Sequence, residues 1–527
     1  MSSTNPNTRP RFDPSPCDPR NLKCPTLVND GSSWLPLIFC PAAFPSEIFE
    51  IAVSQLIHHP EYNSTLILRS DTVAEMTSEF PPSIPKLEGK HLTRVIHRKL
   101  LARRPGRDGS LEQYCSLYTS EAHGDSTHPA FPDTLLLTPI VHEGGSLPYY
   151  HPAVSHLAFR YIPSSPPTLR IEVVPLPGTP IDLNSRLYRT CLALLDTLDR
   201  YGWGALTNYK KRVHHDCLVP RETYQDLYLV MRERHKHLVD TWQEVTDPLK
   251  HVFEDIGIAT YLMLLWKDTY TTPSSEDTQE ADSEEPWKSW PRPPGGFLDF
   301  GCGNGLLTHI LVQEGYDGFG IDLRARTSWS HYPESTQAHL HVYSFDPSSS
   351  FSMPTAPDLA NPYFKPSLFL IGNHADELTP YLPVLSTIHS FSGYLSIPCC
   401  AWSFDAKYER TTTPLFPLPV APSNSDPKAE MSWEAFSETL NLGGDGGKSS
   451  YSMYRVWLAS LSVWCGWEVE CEMLRIPSTR NWAIIGRRRS KTIDPEEAME
   501  NAMDILEGVF RRGIFKARKP EGKDNAH

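Results

Sequence analysis

The spacing of apolar residues changes character along the chain, and each change marks a different kind of structure. Up to about residue 30 the chain is rich in Pro, Asn, Asp and Arg with little periodicity, which predicts a mobile tail. From Trp34 short apolar runs alternate with prolines, and the runs at 65–69, 134–138, 156–161 and 169–175 predict strands. The period then lengthens: Leu187, Cys191, Leu194, Leu195 and Leu198 recur at helical spacing, and residues 224–242 form a second, strongly charged helical segment. A third helix is predicted over 248–266, with a broad apolar face carried by Val252, Ile256, Ala259, Leu262 and Leu265. Residues 271–285 are polar and acidic and lead into Pro291, Pro293 and Pro294, too little apolar material to offset the entropy of ordering.

After this break strands and helices alternate. Strands are expected at 297–300, 318–322, 367–371 and 393–397, with helices at 306–314, 376–389 and 454–464. Two further strands, 468–474 and 482–486, are placed to form an antiparallel pair. The pattern predicts an open, Rossmann-like α/β domain over 296–515, interrupted by a Pro- and Gly-rich insertion at about 404–449. It is preceded by a mixed α+β N-terminal domain over 31–270 and a linker over 271–295, and followed by a basic, polar tail over 516–527.

Composition narrows the function. Lys and Arg number 49 against 63 Asp and Glu, a net charge of -14 that excludes a polycation coating nucleic acid; any such partner must be met by local patches. The 11 cysteines show no repeated short spacing, which argues against a disulfide framework and a zinc site, and for a reducing compartment, with the cytoplasm as the expected location. There is no apolar run of about 20 residues for a bilayer. No heptad seam or internal repeat appears, so a monomer is expected; an accessory protein is compatible with everything above.

The sharpest chemical signal is Asp299-Phe-Gly301-Cys-Gly303-Asn304-Gly305, between a predicted strand and a predicted helix. Glycines there permit a tight turn and close approach of a cofactor to the backbone. Asp322, at the end of the next strand, is placed to accept hydrogen bonds from ribose hydroxyls. A nicotinamide turn of the GxGxxG kind is disfavoured, because Leu306 occupies the position where its third glycine belongs. The carboxylate two residues before Gly301 makes the turn resemble the first motif of class I S-adenosylmethionine-dependent methyltransferases. The resemblance implies cofactor contacts by Asp299, Gly301, Gly303, Asn304 and Gly305, a ribose contact by Asp322, and a loop at 371–376 approaching the methyl group.

Longer strings sharpen the likeness. Residues 297–307, 318–322, 370–380, 395–402 and 475–486, with 219–226 and 246–256 upstream, resemble the tRNA (uracil-2'-O)-methyltransferase family, whose members modify the ribose of uridine 44 in serine tRNA. The likeness implies transfer of the sulfonium methyl of S-adenosylmethionine to a ribose 2'-hydroxyl, with serine tRNA as partner and the N-terminal domain positioning it. Asp376 is the first choice for the base or orienting group and His374 the second, with Glu377, Asp405 and Lys407 as further candidates and Asn373 as a cofactor-binding residue whose amide orients the donor or the substrate. Cys399 and Cys400 read as packing residues, since O-methylation needs no covalent enzyme intermediate. Basic runs at 90–104, 210–212, 487–491 and 511–519 are the candidate phosphate contacts. Methylation of a protein or small molecule, and an inactive cofactor-binding RNA scaffold, are the competing readings.

Overall fold

The computed structural model describes residues 9–18, 20–22, 24–29, 34–120, 131–141, 144–209, 215–271, 284–346, 362–410, 412–413, 415–418, 433–442 and 449–513. The expected N-terminal tail lies partly outside these residues, and the tail from 516, the basic run at 210–212, most of the acidic linker and much of the 404–449 insertion lie outside them. The chain divides into two compact units, residues 1–210 and 211–527.

The first unit is a mixed α+β fold. Its strands are β1 (Ser15–Pro16), β2 (Leu35–Pro41), β3 (Ile67–Met76), β4 (Lys90–Ala102), β5 (Leu111–Ser120), β6 (Thr134–Ile140), β7 (Val154–Ile162) and β8 (Thr168–Pro175), with helices α1 (Phe49–His58) and α2 (Arg186–Leu206). All eight strands pair antiparallel in one sheet of order β1-β2-β8-β7-β6-β5-β4-β3. Period-2 alternation sends Ile96, Cys115, Leu117, Leu135, Phe159 and Ile171 to one face, where they meet Phe49, Val53 and Leu56 of α1 and the predicted Leu187, Cys191, Leu195 and Leu198 stripe of α2. Helix α2 begins where the Ser185 hydroxyl accepts from the Tyr188 N–H at 3.1 Å, leaving one fewer unpaired donor in its first turn.

The second unit contains α3 (Arg221–His235), α4 (Pro248–Tyr270), β9 (Phe297–Phe300), α5 (Leu306–Gln313), β10 (Gly318–Asp322), α6 (Glu334–Gln337), β11 (Leu340–Val342), β12 (Phe369–Asn373), α7 (Tyr381–Ile388), β13 (Gly393–Ile397), the small hairpin β14 (Trp402–Ser403) and β15 (Ala406–Lys407), α8 (Trp433–Thr439), α9 (Ser450–Trp464), β16 (Trp467–Met473), β17 (Trp482–Arg489) and α10 (Pro495–Arg512). Its seven-stranded sheet has the order β11-β10-β9-β12-β13-β17-β16. The first five strands are parallel, and β17 runs antiparallel to both β13 and β16, as the strand pattern predicts. The topology is that of an open, doubly wound sheet whose direction of winding reverses at β9, so a crevice opens at the carboxyl ends of β9 and β12.

Adjacent residues of each strand face opposite layers. Phe297, Phe369, Leu395 and Ile485 pack with α4 and α5, whereas Leu298, Leu370, Tyr394 and Ile484 pack with α7, α9 and α10. Helix α4 is nearly enclosed, with Trp266 against Phe297, Tyr316 and Phe369 at ring separations of 6.1, 5.3 and 5.5 Å. The helical segments 221–270, assigned by sequence to the N-terminal domain, therefore build one layer of the second unit. The described end of the expected linker belongs to this layer too, because Trp287 is buried in the same core.

Two buried carboxylates hold that layer, one to a strand of the sheet and one to the end of α5. Glu472 of β16 accepts the backbone N–H groups of Cys217, Leu218 and Val219 at 2.7, 3.1 and 3.3 Å and the Tyr261 hydroxyl at 3.2 Å. Glu314, just after α5, accepts from Arg234 Nε at 2.8 Å, His235 Nε2 at 2.7 Å and Trp287 Nε1 at 2.7 Å. Removing the acceptor at 472 orphans two buried donors, the Val219 N–H and the Tyr261 hydroxyl, at about 1–3 kcal/mol each, and two half-buried ones at less. Glu472→Leu is expected to destabilise the protein by more than about 3 kcal/mol, and Glu472→Gln, which keeps one carbonyl acceptor, by roughly half as much; the midpoints of urea unfolding measure both.

Candidate active site

The crevice at the carboxyl ends of the strands encloses about 760 Å³. Its floor is the turn between β9 and α5. Gly303 (φ 54°) and Gly305 (φ 76°) both adopt left-handed backbone, but they serve different ends. A Cβ on Gly303 would meet nothing within 4 Å, so its open side faces free space in the crevice. A Cβ on Gly305 would meet Leu340 side-chain carbons at 2.9 Å and Trp329 Nε1 at 3.2 Å, so this glycine permits packing beneath the turn and does not line the crevice. Asn304 fastens the start of α5 by accepting the Leu306 N–H at 3.0 Å.

Asp322 stands at the end of β10, and its Oδ2 accepts the Gly303 N–H at 2.9 Å. One carboxylate oxygen thus holds the glycine turn in place, while the other lies 3.8 Å from Arg326. Asp299, on β9 below the turn, is 1% exposed. Thr308 donates to its Oδ2 at 2.9 Å, and its Oδ1 is buried with no protein partner. Burial raises the Asp299 carboxyl to about 7, with the Thr308 hydrogen bond opposing and the Asp322 charge adding to the rise.

The opposite wall comes from α4 and the end of β12. Asn373 donates Nδ2–H to Asp255 Oδ1 at 3.1 Å, and its own Oδ1 is buried without a partner. Burial, then the charges of Glu254 and Asp299, hold the Asp255 carboxyl well above the usual range. Glu254 is buried, and its Oε1 lies 3.0 Å from His374 Nε2. Burial pushes the Glu254 carboxyl up, but the hydrogen bond and charge of His374 carry it below its ordinary value. Glu254 is therefore ionised and accepts, so Nε2 of His374 donates. His374 and Asp376 both have left-handed backbone, φ 54° and 46°, in the segment immediately after β12. That conformation is disfavoured for a side chain with a Cβ and concentrates strain where two candidate groups meet the crevice.

Asp376 Oδ1 accepts from Cys399 Sγ at 3.3 Å. The expected packing role of Cys399 is thereby extended to orienting Asp376. Burial, and then the Asp376 charge, push the Cys399 thiol up, which opposes a nucleophilic thiolate. Asp376, Cys399 and Cys400 offer ligand atoms within 4.8 Å of one another, but the protonated Cys399 thiol also opposes the form a cation site needs. Asp405 and Lys407 lie outside the crevice, on the β14–β15 hairpin, and Asp405 pairs with Arg512 at 2.9 Å. The helix expected over 376–389 is a short 3-10 turn at Asp376–Leu378 followed by α7.

The crevice brings together Asp299, Gly301, Gly303, Asn304, Asp322, Asn373, His374 and Asp376. Glu254, Asp255 and Lys250 of α4, and the 478–480 loop between β16 and β17, complete it and were given no role by sequence. The available signal was a pair of adjacent acids inside an otherwise apolar helix.

Comparison with known proteins fits this geometry. Residues 12–212 match a family model described as a TRM44-like, N-terminal bet v1-like domain, and residues 218–282 and 287–347 match one described as a predicted AdoMet-dependent methyltransferase. A Schizosaccharomyces pombe protein called tRNA (uracil-O(2)-)-methyltransferase is 34% identical over 505 residues, covering 90% of each chain. The chain belongs to this methyltransferase family. A Neurospora crassa relative with the same name is 33% identical over 91% of this chain and 90% of its own, and one from Saccharomyces cerevisiae 29% identical over 87% and 88%. No solved structure matches the chain. The second unit is thus an S-adenosylmethionine-dependent methyltransferase domain, and S-adenosylmethionine is its methyl donor.

The residues present fit that cofactor. S-adenosylmethionine carries a sulfonium and an ammonium, and the crevice offers the orphaned Oδ1 atoms of Asp299 and Asn373 together with Asp255, acceptors in search of a cation or donor. A bound cation favours ionised Asp299. The free protein retains the Asp299 proton up to about pH 7, so between its ordinary 3.8 and that value the group's contribution to folding stability falls as pH rises. Conversely, affinity for S-adenosylmethionine is expected to rise between about pH 6 and about pH 8, with a limit of about tenfold per pH unit per group. Titration calorimetry should find this dependence weakened in Asp299→Asn.

Proposed function

We propose that this protein methylates the ribose 2'-oxygen of a uridine in tRNA, and that its target is uridine 44 of serine tRNA. The observation that carries the reading is the near full-length likeness to the named relatives, in a chain whose crevice holds orphaned acceptors beside the glycine turn and a His374–Glu254 pair on the opposite wall. S-adenosylmethionine, when bound, supplies the electrophilic methyl. Asp322 anchors the glycine turn and is the candidate ribose ligand, while Asp299, Asn373 and Asp255 form the candidate seat for the cationic end.

A hydroxyl is a weak nucleophile, and its proton must leave as the oxygen–carbon bond forms. His374 and Asp376 are the two groups proposed for this task. His374 is the better prepared: with Nε2 donating to Glu254, neutral imidazole leaves Nδ1 as an acceptor, and Glu254 stabilises the imidazolium that results from proton uptake. Asp376, which accepts a hydrogen bond from Cys399, is then the group proposed to orient the sugar. Cytoplasmic action as a monomer completes the proposal.

The test is transfer of labelled methyl from S-adenosylmethionine to unmodified serine tRNA, followed by nucleoside mapping. Labelled 2'-O-methyluridine at position 44 is expected, and a tRNA with 2'-deoxyuridine there should accept no label. Label on another nucleotide or another tRNA overturns the specificity, and label on protein or small molecules alone overturns the reaction class. His374→Ala is expected to lower kcat by about 100-fold or more with cofactor affinity unchanged. If Asp376→Asn has that effect and His374→Ala does not, the two roles are exchanged.

A further inference from the structure

Among the described residues, which leave out the run at 210–212 and the chain from 514 onwards, most basic side chains of these runs are paired, buried or stacked. Lys90 pairs with Asp133, and Arg94 with Glu50 at 2.6 Å and Glu75 at 3.4 Å. Arg98 is 3% exposed and donates to the carbonyls of Leu56 and Ile57 and to Gln113, so it is a core residue of the first unit. Lys99 lies in register between Asp71 and Glu112. In the second unit Arg487 pairs with Glu470 and Asp268, Arg488 with Glu468 and Glu470, and Arg489 lies 3.6 Å over the Trp467 ring. Arg511 and Arg512 pair with Glu507 and Asp405.

The turn joining β4 to β5 differs. Arg103, Arg104 and Arg107 are all exposed there, and among the described residues no carboxylate forms an ion pair with any of them. The one acid in the turn is Asp108. This turn is held in place: Arg103 N–H donates to Leu66 C=O at 2.8 Å, the Tyr150 hydroxyl donates to Gly109 C=O at 2.8 Å, and Ile67, Leu100, Ala102, Leu111 and Tyr150 form a small core beneath it. Next to Tyr150 in sequence, Tyr149 is 68% exposed with the Arg186 guanidinium 3.9 Å over its ring.

In a protein of net charge -14, three unpaired guanidiniums on an anchored turn form a local anion site, and arginine forks match phosphate oxygens bidentately. We propose that the Arg103–Arg104–Arg107 turn of the first unit grips the phosphate backbone of the tRNA, with Tyr149 as an adjacent stacking surface for an unpaired base. This assigns the bet v1-like unit a direct share of RNA binding and rests on the tRNA reading above. The turn reads backbone, not sequence, so it contributes affinity common to folded RNAs, and specificity for one tRNA lies elsewhere.

The test uses the full-length protein and unmodified serine tRNA, with binding followed as a function of salt. Each phosphate contact contributes about 0.7–0.9 to the slope of log K against log salt. The triple variant Arg103→Ala, Arg104→Ala, Arg107→Ala is expected to lower that slope by about 2 to 3 and raise the KM for tRNA at least about tenfold. Its kcat at saturating tRNA and its affinity for S-adenosylmethionine should stay within about twofold of the parent. Arg488→Ala, which removes an exposed but paired arginine, should leave the slope unchanged. A triple variant with the parental slope and KM, in a protein that methylates tRNA normally, overturns this inference alone. A parent that neither binds nor methylates tRNA overturns the functional reading and the inference with it.

Discussion

The methyltransferase crevice depends on two buried carboxylates that are not in it. Glu314 and Glu472 are essentially inaccessible to water, and each receives several hydrogen bonds from the helical segment that precedes the sheet. A buried carboxylate is costly unless its lone pairs are taken up, and here the donors come from elements distant in sequence, so the same requirement that satisfies the charge fixes the helices against the strands. With α4 fixed in this way, Glu254 and Asp255 reach His374 and Asn373 at hydrogen-bonding distance. A slip of one helical turn, about 5.4 Å, would separate both pairs.

The carboxylates of the crevice obey different electrostatics. Asp299 at the floor and Asp255 on the facing wall are held above ordinary carboxyl values by burial, with the charges of Glu254 and Asp299 adding to the rise of Asp255 and that of Asp322 to the rise of Asp299, which stores affinity for a positively charged occupant. On the same wall, Glu254 is held below its ordinary value by His374, which fixes the direction of their hydrogen bond. The left-handed backbone at His374 and Asp376 is the local cost of presenting both side chains from one short segment. Adjacent groups thus differ in protonation because their partners differ, and a site assembled from one residue type performs two tasks.

The parts of this protein that could be read from its sequence are those where one local signal suffices. Parallel strands buried on both faces show as short apolar runs, so β9, β10, β12 and β13 were visible, and the glycine turn with Asp322 followed from them. β4 and β5 were not, because charged residues interrupt their alternation: Arg98 looks like part of a basic surface run, yet it is buried against carbonyl oxygens that only the folded chain supplies. The unit boundary was misplaced for a related reason. The acidic stretch after residue 271 is conspicuous, whereas the division near residue 210 is set by what α3 and α4 pack against, a long-range fact. Glu254 and Asp255 were hidden inside an apolar helix for the same cause.

The placement of α4 also imposes an order of assembly. The helix leaves the ribosome well before the strands that cover it, the last of which, β17, contributes Ala483 and Ile485 to the same core. Until then the apolar surface around Ile256, Leu262 and Trp266 lacks part of its native cover, while the first unit, whose elements are contiguous in sequence, is complete. The nascent chain therefore carries a folded domain ahead of a hydrophobic helix whose cover is completed only after more than two hundred further residues are synthesised. Chaperone protection of this interval, or its loss, bears on how much enzyme a cell obtains without altering any residue that touches the cofactor.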